Sequence, residues 1–158
     1  MTNVKEEVLV NCPPQRAQTY LIDYLKNSSR DGGSATLRLT ATIGSAKGMH
    51  ATIEREAVAA FARPSSAAPL EYQLLIDWTP TSDEPLPRFN GIFRLQWDED
   101  YGTSRLLVEG RYEPPLGVVG KAFDAAFGHR IATNTMKALL ETLRAAIESA
   151  YRKDINQA

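Results

Sequence analysis

Two side chains that can move a proton or bind an anion fall among apolar residues of this sequence. At about 100° per residue, His129 lies on the same helical face as Met136 and Leu140. A histidine buried there would either orient a ligand or transfer a proton, or be a structural residue satisfied by backbone near a helix start. Arg55 shares a strand face with apolar residues, so we expect it to pair with a carboxylate such as Glu6, or to lie on an edge strand, rather than bind a ligand anion.

Large aromatic side chains recur at alternate positions in the middle of the chain. They fall on the strand faces that we assign to the interior, and they are Tyr72, Trp78, Phe93, Trp97 and Tyr112. Pockets for small molecules are mostly apolar, with a few placed polar groups, so such a face suits a binding site. The alternative is that these rings simply fill the core, and the pattern alone does not separate the two.

The motifs of several other chemistries are missing from the sequence. Residues 44–48 have the small side chains of a phosphate loop but lack its spacing, and they indicate a turn between strands. With His50 and His129 as the two histidines and no carboxylate cluster, we expect no metal and no other cofactor. Cys12 has no histidine close to it in sequence, and no Gly-x-Ser-x-Gly elbow occurs. The sequence therefore shows no catalytic motif.

Composition indicates one folded domain over residues 1–158. The hydrophobic fraction of 43% and the charged fraction of 23% are ordinary for a globular chain. A net charge of -1 without a dense basic run argues against a nucleic-acid partner, because such binding rests on phosphate neutralisation. We expect no membrane insertion, since no apolar run approaches roughly 20 residues. One cysteine, and charges at residues 5–7 where a signal peptide needs an apolar core, indicate a cytoplasmic protein.

Hydrophobic periodicity divides most of the chain into one short helix and a series of strands. Pro13 and Pro14 open an amphipathic helix over residues 15–25, which follows a strand at residues 4–10. Apolar residues then alternate with polar ones in five further runs, at residues 35–43, 51–62, 72–78, 89–97 and 106–112. Short turn-rich connections between these runs predict an antiparallel meander, and the segment 4–10 supplies a sixth strand.

The C-terminal part of the chain has two helical stripes that are out of phase. Phe123 and Phe127 share one face, whereas Met136, Leu140 and the apolar residues after them share another. Gly128 lies where the phase changes. The pattern therefore predicts a short helix over residues 116–127, a break or kink at Gly128, and a long helix over residues 129–152.

The sequence from the last strand onward resembles a known superfamily. Residues 110–117 read Gly-Arg-Tyr-Glu-Pro-Pro-Leu-Gly, and they are followed by Gly120, Asp124 and His-Arg-Ile-Ala at residues 129–132. This stretch is similar to the last strand, the proline corner and the gripping helix of bacterial members of the START-related superfamily called SRPBCC. The resemblance implies an α+β helix-grip fold, in which a curved antiparallel sheet of six or seven strands wraps around a long C-terminal helix. It also implies an internal cavity for an apolar or amphipathic small molecule.

Three functions follow from the resemblance as hypotheses. The first is a non-catalytic carrier or sensor of a hydrophobic molecule, and the second is an aromatase/cyclase in which His129, Tyr112 or Arg55 assists proton transfer. The third is a protein-interaction module like the co-chaperone members, with a filled core. A homodimer is left open. For the first two hypotheses the predicted ligand-binding residues are Tyr72, Trp78, Phe93, Trp97, Tyr112, His129, Met136 and Leu140.

Overall fold

Alternating apolar and polar residues form six strands, and two stretches with helical periodicity form helices. The computed structural model describes residues 2–27, 34–44, 50–62, 71–80, 88–98, 102–113 and 125–157. In chain order the elements are β1 (Thr2–Val10), α1 (Pro14–Asn27), β2 (Ser34–Gly44), β3 (His50–Ala62), β4 (Glu71–Pro80), β5 (Arg88–Trp97), β6 (Ser104–Glu113) and α2 (Ala125–Asn156). Each predicted strand is confirmed, with ends that differ by one or two residues.

The strands form one antiparallel sheet in the order β1-β6-β5-β4-β3-β2. Strands β2 to β6 follow one another as the predicted meander, and β1 adds to the free edge of β6, where Val4 lies opposite Gly110. Because β1 comes first in the chain and pairs with the last strand, the two ends of the strand sequence meet at one edge. The α+β helix-grip architecture is confirmed, with a curved sheet of six strands around the C-terminal helix.

On β1, β4, β5 and β6, where the structure describes most of the side chains, one face of the sheet is apolar and buried and the other is largely polar. On the outer face, Arg94 forms an ion pair with Glu109 at 3.2 Å, and Lys5 approaches the same carboxylate at 4.0 Å. Exposed pairs of this kind contribute little to stability. The inner face instead contributes the aromatic and aliphatic side chains of the core, so the strand alternation decides which residues can meet α2.

Helix α2 closes the sheet from its inner side. Its buried stripe is Ala132, Met136, Leu139, Leu140, Leu143 and Ile147. Among the described elements, α2 comes close to both edge strands, β1 and β2, whereas the central strands β3, β4 and β5 stay farther from it. A curved sheet held at both edges leaves the space between its centre and the helix to be filled by side chains or by a ligand.

The long C-terminal helix begins before residue 129, where the change of apolar stripe at Gly128 predicted its start. Helix α2 runs without interruption from Ala125 to Asn156 and passes through Gly128, so the prediction of a separate helix starting at His129 is wrong. A glycine inside a helix costs only about 1 kcal/mol, which the packing of a helix this long offsets. The predicted helix over residues 116–127 lies mostly outside the described residues. No helix that the structure describes is long and apolar enough to cross a membrane.

Helix α1, near the N-terminus, packs against the C-terminal half of α2. The Tyr20 hydroxyl donates a hydrogen bond to Asp154, and its ring centroid lies 6.4 Å from that of Tyr151. The hydrogen bond to Asp154 raises the pKa of Tyr20. Just before α1, the backbone N–H of Asn11 donates to the Glu148 carboxylate at 2.9 Å. These contacts hold α1 and β1 to α2 at one end of the molecule.

Candidate functional site

A row of aromatic side chains crosses the inner face of the sheet. In the strand register Ala59 lies opposite Trp78, Trp78 opposite Phe89, and Phe89 opposite Tyr112. All four side chains are buried. The rings of Trp78 and Phe89 have centroids 4.6 Å apart and planes inclined by 30°, a contact that stabilises aromatic pairs beyond the area they bury. The row therefore forms a continuous aromatic surface across strands β4, β5 and β6.

Two opposed glycines make room for this row. Gly91 and Gly110 face each other across β5 and β6, next to the Phe89–Tyr112 pair. A Cβ atom placed at Gly110 would lie 2.8 Å from the Phe89 Cζ atom, and one placed at Gly91 would lie 2.6 Å from it. Each such atom would also meet a backbone carbonyl oxygen of the other strand, at Asn90 or Glu109. The Phe89 ring thus covers bare backbone, which only glycine permits.

Further apolar residues extend the inner surface along the strands. Leu74 lies opposite Phe93 and Tyr72 opposite Leu95, and all four are buried. On β6, Val108 and Leu106 continue the two rows. Met136 and Leu140 belong to the same buried cluster and bring α2 to it. The candidate site is therefore the layer between these strands and α2.

Tyr112 brings a polar atom into this apolar layer. Its side chain is 1% exposed, and within the part of the chain that the structure describes its hydroxyl has no hydrogen-bond partner. Burial raises the pKa of Tyr112 to about 12. The Thr135 hydroxyl is close enough to oppose this rise in part, but it does not reach hydrogen-bond geometry with the Tyr112 hydroxyl. At neutral pH the Tyr112 hydroxyl is therefore protonated and suited to donate a hydrogen bond rather than to act as a base.

Six of the predicted site residues lie together in one buried cluster. They are Tyr72, Trp78, Phe93, Tyr112, Met136 and Leu140. Whether any of them contacts a ligand stays a prediction, as the core-filling alternative does. What the structure establishes is that the strands and the helix bring these side chains into one layer.

The expected interior positions of His129 and Trp97 are wrong. His129 is exposed, and Trp97 is 39% exposed. Each residue lies at the same helical or strand spacing as buried residues near it. Spacing gives the direction of a side chain, but it does not show whether another element covers that side chain. Helix α2 has 32 residues and is about 48 Å long, which exceeds the ~33 Å of a ten-residue strand, and His129 lies near its first turn. Trp97 is the last residue of β5.

Two residues of the site were not among the predicted ones. Phe89 lies on the same face of β5 as Phe93. The signal in the sequence is the pair of glycines, Gly91 on β5 and Gly110 on β6, which leave room for the Phe89 ring over the backbone. Thr135 is 1% exposed, but it lies at the margin of the helical stripe, where a threonine is usually solvated. Thr135 lies beside Tyr112 of β6. The helical pattern of α2 cannot predict this neighbour, because β6 is a separate element.

Two other residues considered in the sequence analysis, Arg55 and Cys12, are not assigned to the candidate site. The side chain of Arg55 is outside the described part of the chain, so the Arg55–Glu6 pairing stays a prediction. Cys12 is buried, and burial raises the pKa of its thiol to about 11, the reverse of what a nucleophilic cysteine needs. Among the described residues there is no group of three or more side chains that could hold a metal ion.

Comparison with solved structures identifies the fold. Over 94% of this chain and 99% of the other, the structure is similar to TTHA0849 from Thermus thermophilus, with a TM-score of 0.56 and 16% identity. A conserved protein from Geobacillus kaustophilus gives a TM-score of 0.57 at 13% identity, covering 96% of each chain. The human StarD13 (DLC2) lipid transfer and protein localization domain gives 0.50 at 11% identity, over 92% of this chain and 76% of that one.

Sequence comparison adds nothing to this result, since no model of a known family and no curated protein matches the chain. At identities of 11–16%, structural similarity establishes the fold alone. The antiparallel sheet order, the long C-terminal helix and these similarities agree with one another. The chain therefore has a START-like helix-grip fold.

Proposed function

We propose that this protein binds a small apolar or amphipathic molecule between the inner face of the sheet and α2, as a carrier or sensor. The observation that carries the proposal is the arrangement of α2, which lies near both edge strands but away from the central ones. The central strands carry Trp78, Phe89 and Phe93 on the inner, buried face of the sheet. An apolar surface of this kind suits a ligand that is held mainly by burial.

The fold supports the same proposal. The human StarD13 domain, whose fold is similar, is described as a lipid transfer domain. The aromatase/cyclase hypothesis has less support among the described residues. It relied on His129, Tyr112 or Arg55 for proton transfer. His129 is exposed, and a pKa of about 12 makes Tyr112 a poor base at neutral pH. The side chain of Arg55 lies outside the described part of the chain. The co-chaperone hypothesis requires a filled core, and the experiment below separates it from ligand binding.

The direct test is binding of an uncharged environment-sensitive dye, N-phenyl-1-naphthylamine, followed by competition with fatty acids and polycyclic aromatics. Native mass spectrometry of protein purified without denaturation would reveal a retained ligand. We expect the dye to bind and both classes of competitor to displace it, because binding by apolar burial tolerates chemical variety. A wild-type protein that binds no dye would refute the proposal and favour a filled core.

A variant that fills the space places the dye inside the protein. Met136 is fully buried in the cluster, and Met136→Trp adds a large ring there. Displacing about 55 Å² of buried apolar dye surface costs about 1.4 kcal/mol, so we expect dye affinity to fall about tenfold or more.

The matched control is Leu75→Trp, which adds the same ring at a side chain that is 43% exposed. This variant should bind the dye like the wild type. Circular dichroism checks that both variants fold. Equal affinity of Met136→Trp and the wild type would show that the dye binds elsewhere.

A further inference from the structure

The Tyr112 hydroxyl is buried in the inner layer and has no hydrogen-bond partner among the described residues. We infer that it donates a hydrogen bond to an uncharged oxygen acceptor, a carbonyl or hydroxyl group, on the ligand of the inner site. This inference rests on the proposed function and names the class of molecule bound: an apolar body that carries one neutral oxygen.

The Tyr112 hydroxyl is buried without a partner in the described part of the chain. Tyr112 is 1% exposed, and its hydroxyl has no hydrogen-bond partner among the residues that the structure describes. Buried polar atoms are nearly always paired in folded proteins, because an unpaired one keeps the full cost of leaving water. If Tyr112 only filled the core, a phenylalanine at this position would fill nearly the same space without burying an unpaired hydroxyl. An acceptor on a bound molecule removes the cost.

The protonation state and the position of Tyr112 limit which ligand group fits beside it. The pKa of about 12 keeps the Tyr112 hydroxyl protonated at neutral pH, so it can serve as a donor. An oxygen acceptor is therefore the matching group. The position also suits one end of a ligand: Tyr112 is next to the last residue of β6, in the same cross-strand row as Phe89 and Trp78. The apolar part of the ligand would extend from there along Phe93 toward Leu140.

The charge of the buried layer favours a neutral ligand group. In the described part of the chain, the fully buried polar side chains besides Tyr112 are Ser104 and Thr135, and both are neutral. The Ser104 hydroxyl already donates to the Cys12 carbonyl oxygen at 2.7 Å. None of the side chains that the structure describes is a fully buried cation, so an anion placed beside Tyr112 would lose its hydration without a charged partner among them, and that loss is large. A neutral oxygen avoids this cost.

The test compares three ligands of nearly the same shape by displacement of N-phenyl-1-naphthylamine. They are 1-ethylnaphthalene, 1-acetylnaphthalene and 1-naphthoate, and they differ in having no oxygen, a neutral carbonyl or a carboxylate. The quantity measured is the ratio of the dissociation constants of the ethyl and acetyl ligands. This ratio should fall about tenfold in Tyr112→Phe relative to the wild type, the effect of one hydrogen bond to a neutral group.

Tyr151→Phe is the matched control, since it makes the same chemical change on α2 at the contact with α1. It should leave the ratio unchanged. If Tyr112→Phe fails to fold, the carbonyl stretching band of 1-acetylnaphthalene bound to the wild type gives the answer. A hydrogen-bonded carbonyl absorbs at lower wavenumber than the same ketone in hexane.

Each outcome has a distinct meaning. An unchanged ratio in Tyr112→Phe, or a carbonyl band at its hexane position, overturns the inference but leaves the proposed function standing as long as the dye binds. A wild-type preference for 1-naphthoate over 1-acetylnaphthalene that disappears in Tyr112→Phe overturns the assignment of a neutral ligand. Failure of the dye and of all three ligands to bind overturns the proposed function and this inference with it.

Discussion

At the scale of single residues, the inner surface depends on what two positions lack. Gly91 and Gly110 leave the backbone bare where the Phe89 ring packs, and the ring lies between Trp78 and Tyr112 in the cross-strand register. A side chain at either glycine would push the ring off the sheet or move one strand away from the other. Either displacement would change the surface on which we propose that the ligand rests.

Replacing Gly110 by alanine should therefore destabilise the protein. The new Cβ atom would contact the Phe89 ring and the Asn90 carbonyl oxygen, and overpacking of this kind typically costs about 1–3 kcal/mol. The measurement is the free energy of unfolding in urea. Arg111→Ala, at the exposed neighbouring position, is the control and should change that free energy by less than about 0.5 kcal/mol. A Gly110→Ala protein as stable as the control would show that the ring does not depend on the glycine.

At the scale of elements, periodicity predicted the strands and the buried stripe of α2 because both depend on local geometry. The six strands and the burial of Met136, Leu140 and Leu143 follow from spacing alone. The spacing of apolar residues does not show whether another helix or strand packs over a given side chain. For that reason His129 and Trp97, whose phases match buried neighbours, were assigned to the interior although they are exposed.

The same limit applies to the pairing of elements. The partner of β1 is β6, a strand distant in the chain, and the pattern of neither strand specifies this pairing. The burial of Thr135 likewise depends on a strand distant in the chain. The resemblance to a known superfamily supplied the helix-grip arrangement that periodicity could not, and the fold comparison confirms it.

Helix α2 offers a test of how closely its stripe is packed. Leu140 and Leu143 are both 1% exposed, and truncating a fully packed leucine to alanine costs about 2–5 kcal/mol. We expect Leu143→Ala to show such a loss in urea unfolding, while Lys137→Ala on the exposed face serves as the control.

Leu140→Ala distinguishes a packed position from one that lines the ligand space. Atoms that face a void have fewer partners to lose, so a loss well below that of Leu143→Ala would indicate that Leu140 borders the space. Losses of the same size at both positions would indicate that the core is filled there, which favours the co-chaperone hypothesis. A negligible loss at both would contradict the assignment of this stripe to the core.

At the scale of the whole molecule, the two ends of the layer between sheet and helix differ. At one end α1 is fixed to α2 through the Tyr20–Asp154 hydrogen bond, and the segment before α1 is fixed through Asn11 and Glu148. Tyr112 lies toward the opposite end of β6 from Ser104, which bonds to the segment just before α1. A ligand held at Tyr112 would therefore lie away from the end that α1 secures.

This arrangement buries one titratable group near each end, and both should lower stability at alkaline pH. Burial raises the pKa of Cys12 from 9.0 to about 11 and that of Tyr112 from 10.0 to about 12. The unfolded chain then loses these protons at lower pH than the folded one. The contribution of the two protonated groups to the free energy of unfolding is therefore fully present below pH 9.0. The part due to Cys12 is lost between pH 9.0 and about 11, and the part due to Tyr112 between pH 10.0 and about 12.

The expected loss is up to about 2 kcal/mol for each group, measured as the free energy of urea unfolding between pH 8 and about pH 11.5 with a reductant present. Other groups titrate in this range, so the informative quantity is the difference between the wild type and each variant. Cys12→Ala should remove the fall that begins near pH 9, and Tyr112→Phe the fall that begins near pH 10, each leaving the other in place. If Tyr112→Phe follows the wild-type curve throughout, its hydroxyl is not buried as the structure has it, and the inferred ligand contact loses its main support.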